Sequence, residues 1–266
     1  MLKKASLARS VFYYHVQKQQ AGDKYAEVKD HIRTIFDEHQ GRYGYRRVTA
    51  ALQRMGKKIN HKTVQRLMGV LNLKSRVRPK KYQSFKGNVG PAAPNDLDRQ
   101  FEAEAPNEKW VTDVTEFKVN GDKLYLSPVL DLYNREIIAF ETSRRPVSEM
   151  VNSMLNKAIA RLLPNERPML HSDQGWHYKM PLYQATLREQ GMAQSMSRKG
   201  NCHDNAAMES FFGVLKSEFF HLKKFGSIEE LQTGLSEYIR YYNNDRIKLK
   251  LKGLSPVQYR IQAAGA

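Results

Sequence analysis

The sequence predicts an α/β domain, a mixed five-stranded sheet with helices, preceded by a small all-α domain. Three observations predict it. From Lys109 onward β-rich runs alternate with helical periodicity, between Lys24 and Leu73 helical periodicity recurs three times without a strand, and the charge changes sharply between the two regions. The 266 residues carry a formal charge of +17. Residues 1–88 hold 21 Lys and Arg against 5 Asp and Glu, whereas residues 89–266 hold 23 against 22. Such an excess in a small module is the footprint of a polyanionic partner, either nucleic acid or an anionic membrane surface. No apolar run approaches a membrane span, and the opening MLKKASLARS lacks the apolar stretch of a signal peptide, so nucleic acid is favoured. One cysteine, Cys202, excludes an intramolecular disulfide and fits a reducing cytoplasm.

Residues 1–23 form a basic N-terminal segment whose cluster Phe12-Tyr13-Tyr14 suits a short helix packed against the residues after it. Over residues 24–73 the apolar sets are Val28, Ile32, Ile35 and Phe36, then Val48, Leu52 and Met55, then Val64, Leu67, Met68 and Leu71. Gly41 to Gly44 and Gly56 to Asn60 separate them, which gives three short helices with a basic last member: a helix-turn-helix module. His61, Lys62, Gln65 and Arg66 would face the major groove, with Arg46, Arg47, Lys57 and Lys58 on the phosphate backbone. Residues 74–106 read as a linker, basic and then acidic and Pro/Ala-rich, that can bury little.

Residues 107–266 hold the larger domain. Trp110–Lys118, Leu124–Asp131 and Glu136–Thr142 are strand candidates, and Asn120-Gly121-Asp122 is a hairpin signal, so three antiparallel strands are expected. A helix follows, with Ser148 as cap and Val151, Met154, Leu155, Ala158, Ile159 and Leu162 on one face. The apolar run Pro168-Met169-Leu170 leads a fourth strand ending at Asp173, before the turn at Gly175. A helix over Met180–Gln190 and a short strand over Ala193–Ser197 come next. Asp204 and Asn205 are candidate caps for a helix carried by Met208, Phe211, Phe212, Leu215 and Phe219. Lys199 lies in a polar loop before it, and a last amphipathic helix beyond Gly226 runs into YNNDRIKLKLKGLSPVQYR.

Three acids stand out: Asp113 in mid-strand, Asp173 at a strand end and Glu209 inside a helix. A single Asp on a strand normally faces solvent. Three carboxylates meeting at one point repel by about 4 kcal/mol per close pair at an effective dielectric near 20, so a cation must compensate. Oxygen-only ligands suit Mg²⁺ or Mn²⁺, and two such ions can activate one oxygen of a phosphodiester displacement while stabilising the other. The chemistry implied is in-line phosphoryl transfer.

Asp113, Asp173 and Glu209, with 35 residues between the last two, match the D,D,E pattern of the retroviral-integrase and transposase superfamily. The flanking words WVTDVTEF, HSDQGWHY and SRKGNCHDNAAMESFFGVLKSE resemble the second reading frame of the IS-three group of bacterial insertion sequences, over nearly the whole chain. GRYGYRRVTAALQ and INHKTVQRLM resemble the helix-turn-helix segment that precedes the core in that group. The resemblance implies an RNase H-like core in which the two Asp and the Glu meet around two Mg²⁺ or Mn²⁺ ions. It further implies a DNA transposase that cuts and joins element ends, acting as an oligomer on DNA in the bacterial cytoplasm and nucleoid. The active form in the group is commonly a frameshift fusion with an upstream frame, which makes that frame a candidate partner. The resemblance also carries to Lys216, seven residues after Glu209 on the same helix face, a contact with terminal DNA. Lys248 stands where many relatives carry His, so no catalytic role is carried over there.

Other chemistries fit less well. His171, His177, Cys202 and His203 match no usual zinc spacing, and no G-x-x-x-x-G-K-[ST] phosphate loop occurs. A non-catalytic DNA-binding regulator with a nuclease-like core is the alternative function, and a nuclease acting on RNA in hybrids is a third.

Overall fold

The computed structural model describes residues 8–20, 23–77, 93–198 and 202–264, without the side chains of residues 15–20, 202 and 203. The chain divides into two compact units, Met1–Arg76 and Val77–Ala266.

The smaller unit contains α1 (Arg9–Gln20), α2 (Ala26–Glu38), α3 (Tyr45–Arg54) and α4 (His61–Val70). Ile32, Ile35, Phe36, Val48, Leu52, Val64, Leu67 and Met68 are buried, as the three helical spacings require. The start of α4 is fixed by Asn60, whose side-chain oxygen accepts the Lys62 backbone N–H at 2.8 Å. Two expectations fail. Met55 is exposed, because α3 ends there and the chain turns through Gly56 at φ +79°. Phe12, Tyr13 and Tyr14 stand exposed on α1.

The larger unit is a mixed sheet of β1 (Lys109–Thr112), β2 (Thr115–Val119), β3 (Asp122–Asp131), β4 (Ile137–Ser143), β5 (Met169–Ser172) and β6 (Gln194–Met196). β3 pairs antiparallel with β4 along one edge and with both β2 and β1 along the other. β1 then pairs in parallel with β5, and β5 with β6. The hairpin joining β2 to β3 turns on Asn120 and Gly121, both at positive φ as a two-residue turn of this hand demands.

The strand expected over Trp110–Lys118 is two collinear strands interrupted at Asp113-Val114. Thr112 pairs with Val129 and Thr115 with Leu126, which leaves Asp113 opposite Pro128. A proline has no N–H to offer a ladder, and Asp113 Oδ1 takes the Val114 N–H at 2.7 Å. With β1 and β2 taken as one strand broken at the acid, the sheet is the five-stranded mixed sheet expected.

Alternating residues serve two cores. Val111, Phe117, Leu126 and Leu130 share one with α7 (Ala206–Glu218) and α8 (Ile228–Asn244). Trp110, Val129 and Ile138 share the other with α5 (Ser148–Ile159) and α6 (Pro181–Glu189). Ser148 begins α5 instead of capping it, since Val147 holds the cap position. Arg260 of α9 (Pro256–Ala264) donates to Asp131 at 2.7 Å and ion-pairs with Glu136 at 3.2 Å.

The second half of the stretch read as a linker does not stay unburied. Leu97 is 1% exposed and Phe101 packs beside it in the α7/α8 core. The Met196 N–H donates to the Pro94 carbonyl at 3.0 Å, and the Leu97 N–H to Ser195 Oγ at 3.1 Å. The segment thus covers β6, whose outer edge would otherwise present unpaired backbone groups.

Candidate active site

β1 and β5 are parallel neighbours with Val111 opposite His171, so Asp113 and Asp173 leave the sheet at the same end and the same level. Asp113 is half-buried and Asp173 exposed. Gly175 shapes the second position: its N–H donates to Asp173 Oδ1 at 2.8 Å, and a Cβ there would stand 2.8 Å from that same oxygen. Glu209 is half-buried in the first turn of α7. That turn is tied to β1 by Asn205, whose side-chain amide donates to the Thr112 carbonyl at 3.1 Å, immediately before Asp113.

Asp113 feels the charges of both other acids. Desolvation, then the charge of Asp173, push the Asp113 carboxyl up to about 8, with a smaller push from Glu209 and against the Val114 N–H and the Lys216 ammonium. Desolvation also raises Asp173, opposed by the Gly175 N–H and by the charges of His177 and Lys179. Lys216 lies half-buried with its Nζ 5.3 Å from the Phe117 ring centroid. Among the described residues, no three His, Cys, Asp or Glu side chains are gathered closely enough to hold a metal ion as they stand. The donor set itself fits a hard divalent cation: carboxylate oxygens only, with desolvation first and the neighbouring acids second favouring the protonated form of Asp113 until a cation is present.

Asp204 and Asn205 flank the start of α7 without capping it with their side chains. Asp204 is fully buried. It receives the Arg198 backbone N–H and Nε, both at 3.0 Å, Arg99 Nε at 3.0 Å and Asn95 Nδ2 at 3.1 Å. These partners hold its carboxyl well below the usual range, the Arg198 hydrogen bond most of all. Sequence reasoning missed this constellation because the Asp-Asn pair before an apolar helix reads as a cap.

His171 bridges Ser195 Oγ at 2.8 Å and Ser197 Oγ at 3.0 Å, and burial lowers its imidazole to about 4. His177 faces the Pro146 carbonyl at 3.1 Å. Five of the candidate DNA-binding side chains, Arg46, Arg47, Lys62, Gln65 and Arg66, lie in the smaller unit. Arg46, Lys62, Gln65 and Arg66 are exposed, with His61, on the faces away from the helical core. Arg46, Arg47 and Arg66 lie over the rings of Tyr45, Tyr43 and Tyr25 at 5.7, 5.4 and 5.5 Å. Such contacts hold a guanidinium flat at a surface. Lys199 falls outside the described residues.

Residues 103–202 match a family model described as an integrase core domain, residues 209–263 match a second of the same description, and residues 24–81 match an HTH-like domain. An RNase H-like integrase core behind a helical DNA-binding module defines a transposase of the polynucleotidyl-transferase type. The chain is 59% identical to the putative transposase InsK for insertion sequence element IS150 of Escherichia coli K12, covering 98% of this chain and 93% of that one. It is 56% identical to an uncharacterized transposase-like protein of Haemophilus influenzae, over 77% and 95%. It is 32% identical to the transposase InsF for insertion sequence IS3A of Escherichia coli K12, over 97% and 92%. The chain belongs to the insertion-sequence transposases of the IS-three group and is a DNA transposase; the alternative of a non-catalytic regulator is not favoured. No helix among the described residues is long and apolar enough to cross a membrane.

Proposed function

We propose that Asp113, Asp173 and Glu209 are the catalytic acids of this transposase and that together they hold two divalent ions, Mg²⁺ or Mn²⁺. The observation that carries the reading is the emergence of Asp113 and Asp173 from adjacent parallel strands at one level, with the helix of Glu209 tethered alongside. Bound there, the ions supply activation of a water or 3′-hydroxyl and neutralisation of the departing oxygen in strand cleavage and strand transfer. The chain's own part is positional. The Val114 and Gly175 N–H groups orient one oxygen of each Asp and leave the other for a ligand. No side chain need attack phosphorus. Because the proton on Asp113 must leave before the carboxylate binds a cation, and burial raises that group above the ordinary carboxylate range, affinity for Mg²⁺ rises with pH beyond the range where a free aspartate is already ionised.

The substrate is DNA, the element's ends and the target, bound by an oligomer of this chain with the upstream-frame protein or its fusion as a further partner. Arg46, Arg47, Lys62, Gln65 and Arg66 of the smaller unit, with Lys199 and Lys216 of the larger, contact it. Asp113→Asn lowers cleavage of a supercoiled plasmid carrying the element by about 10²-fold or more, given that even outer-shell changes at metal sites cost up to about that much. DNA binding persists. A variant that cuts as well as the wild type overturns the assignment.

A further inference from the structure

We propose that Asn205 and Asp204 are positioning residues that set Glu209 against Asp113, and that the arm Asn95–Arg99 holds them in place. The inference rests on the acid-triad reading.

Glu209 sits on α7, whose Ala207 and Met208 pack into the core that Val111 of β1 also enters. Apolar packing of this kind is non-directional and leaves the orientation of the first turn to be set by a polar contact. Asn205 supplies that contact. It is 4% exposed, and its amide donates to the carbonyl of Thr112, the residue that precedes Asp113. The hydrogen bond therefore joins the helix of one acid to the strand of another, bypassing the rest of the fold. Among the described residues Asn205 Oδ1 is buried without a hydrogen-bond partner, so the residue is not there to satisfy its own polar atoms.

Asp204 restrains the same backbone one residue earlier. Its two oxygens are occupied by Arg198, by Arg99 and by Asn95, and a buried carboxylate with that many donors has one low-energy position. Two of these donors come from the arm, which is otherwise secured by Leu97 in the core and by its bond to Ser195. The chain of contact runs from arm to Asp204, to Asn205, to Thr112 and Asp113, while Glu209 comes one helical turn on. A change of about 1 Å in such a frame costs on the order of a hundredfold in catalysis.

The test measures Mn²⁺ affinity of the full chain by the EPR signal of the free ion, with melting temperature recorded beside it. Asn205→Ala is expected to weaken Mn²⁺ binding about tenfold, the scale of outer-shell effects on metal sites. Arg99→Ala, a half-exposed side chain on the arm, is expected to weaken it about threefold by the same route, and Arg99→Lys to restore it. A purely structural role would lower the melting temperature and leave affinity of the folded chain unchanged. Asp113→Asn separates the two readings. If it binds Mn²⁺ like the wild type, the triad reading falls. If it loses affinity while Asn205→Ala and Arg99→Ala keep theirs, the positioning proposal is overturned and the triad stands. Should Asn205→Ala fail to fold, the Arg99 pair decides: a loss rescued by Lys supports the proposal, and wild-type affinity in Arg99→Ala sinks it.

Discussion

A glycine beside a carboxylate can be read as a turn signal, yet Gly175 does more than let the chain bend. Its φ is −53°, which any residue adopts, so the requirement is one of space. A methyl group there meets Asp173 Oδ1 at 2.8 Å and Tyr178 at 3.3 Å. The carboxylate is the more movable of the two and must swing away. Gly175→Ala is therefore expected to leave the melting temperature within a few degrees of wild type while strand cleavage drops by about ten- to a hundredfold. Cleavage of element DNA at saturating Mg²⁺ measures it, and unchanged cleavage contradicts the crowding described. The three acids proposed for the site stand out in the sequence by residue type, spacing and flanking words. Their restraints were not, because Asn205 finds its acceptor 93 positions away and Asp204 finds Arg99 105 away.

At the level of elements, β6 is a strand of three residues that depends on borrowed support. His171 of β5 supplies part of it, through hydroxyls of Ser195 and Ser197. Burial depresses its imidazole from an ordinary 6.5 to about 4. A base whose folded value is depressed contributes fully above the unfolded value, and that contribution is lost as pH falls from about 6.5 toward 4. The expected slope from this one group is up to about 1.4 kcal/mol per pH unit in that window. Denaturation midpoints taken across it should fall more steeply for the wild type than for His171→Gln, and parallel curves would count against the assignment. The elements differ in how far sequence exposed them. Helical spacing disclosed α2, α3, α4 and α8 because each buries one stripe. WVTDVTEF is β-rich from end to end, so its interruption was hidden: the cause is Pro128, on another strand. The arm that covers β6 was hidden by an acidic, Pro-rich composition in which Leu97 and Phe101 are the large apolar anchors among the described residues, with Ala93 and Ala103 as small ones.

Over the whole molecule, charge and fold are partitioned. The excess of basic residues falls in the first 88 positions, so affinity for DNA should be dominated by counterion release there. Binding of the full chain is expected to weaken with salt on a log–log plot, and Arg66→Ala to reduce the slope by about one if its guanidinium meets a phosphate. An unaltered slope excludes a phosphate contact for Arg66, and unaltered sequence preference beside it removes the residue from the interface. In the larger unit α9 supplies a cation for two buried carboxylates. Asp131 is fully buried, and its oxygens take the N–H groups of Asn107 and Tyr133 and the guanidinium of Arg260. Arg260→Ala takes that cation from Asp131 and Glu136 and should cost about 3 kcal/mol, read from chemical denaturation.

The clamp from Arg260 back to Asp131 spans 129 positions. Pairing of β1 with β3 alone leaves that buried carboxylate without its guanidinium, so this corner of the sheet is finished by a residue from far along the chain.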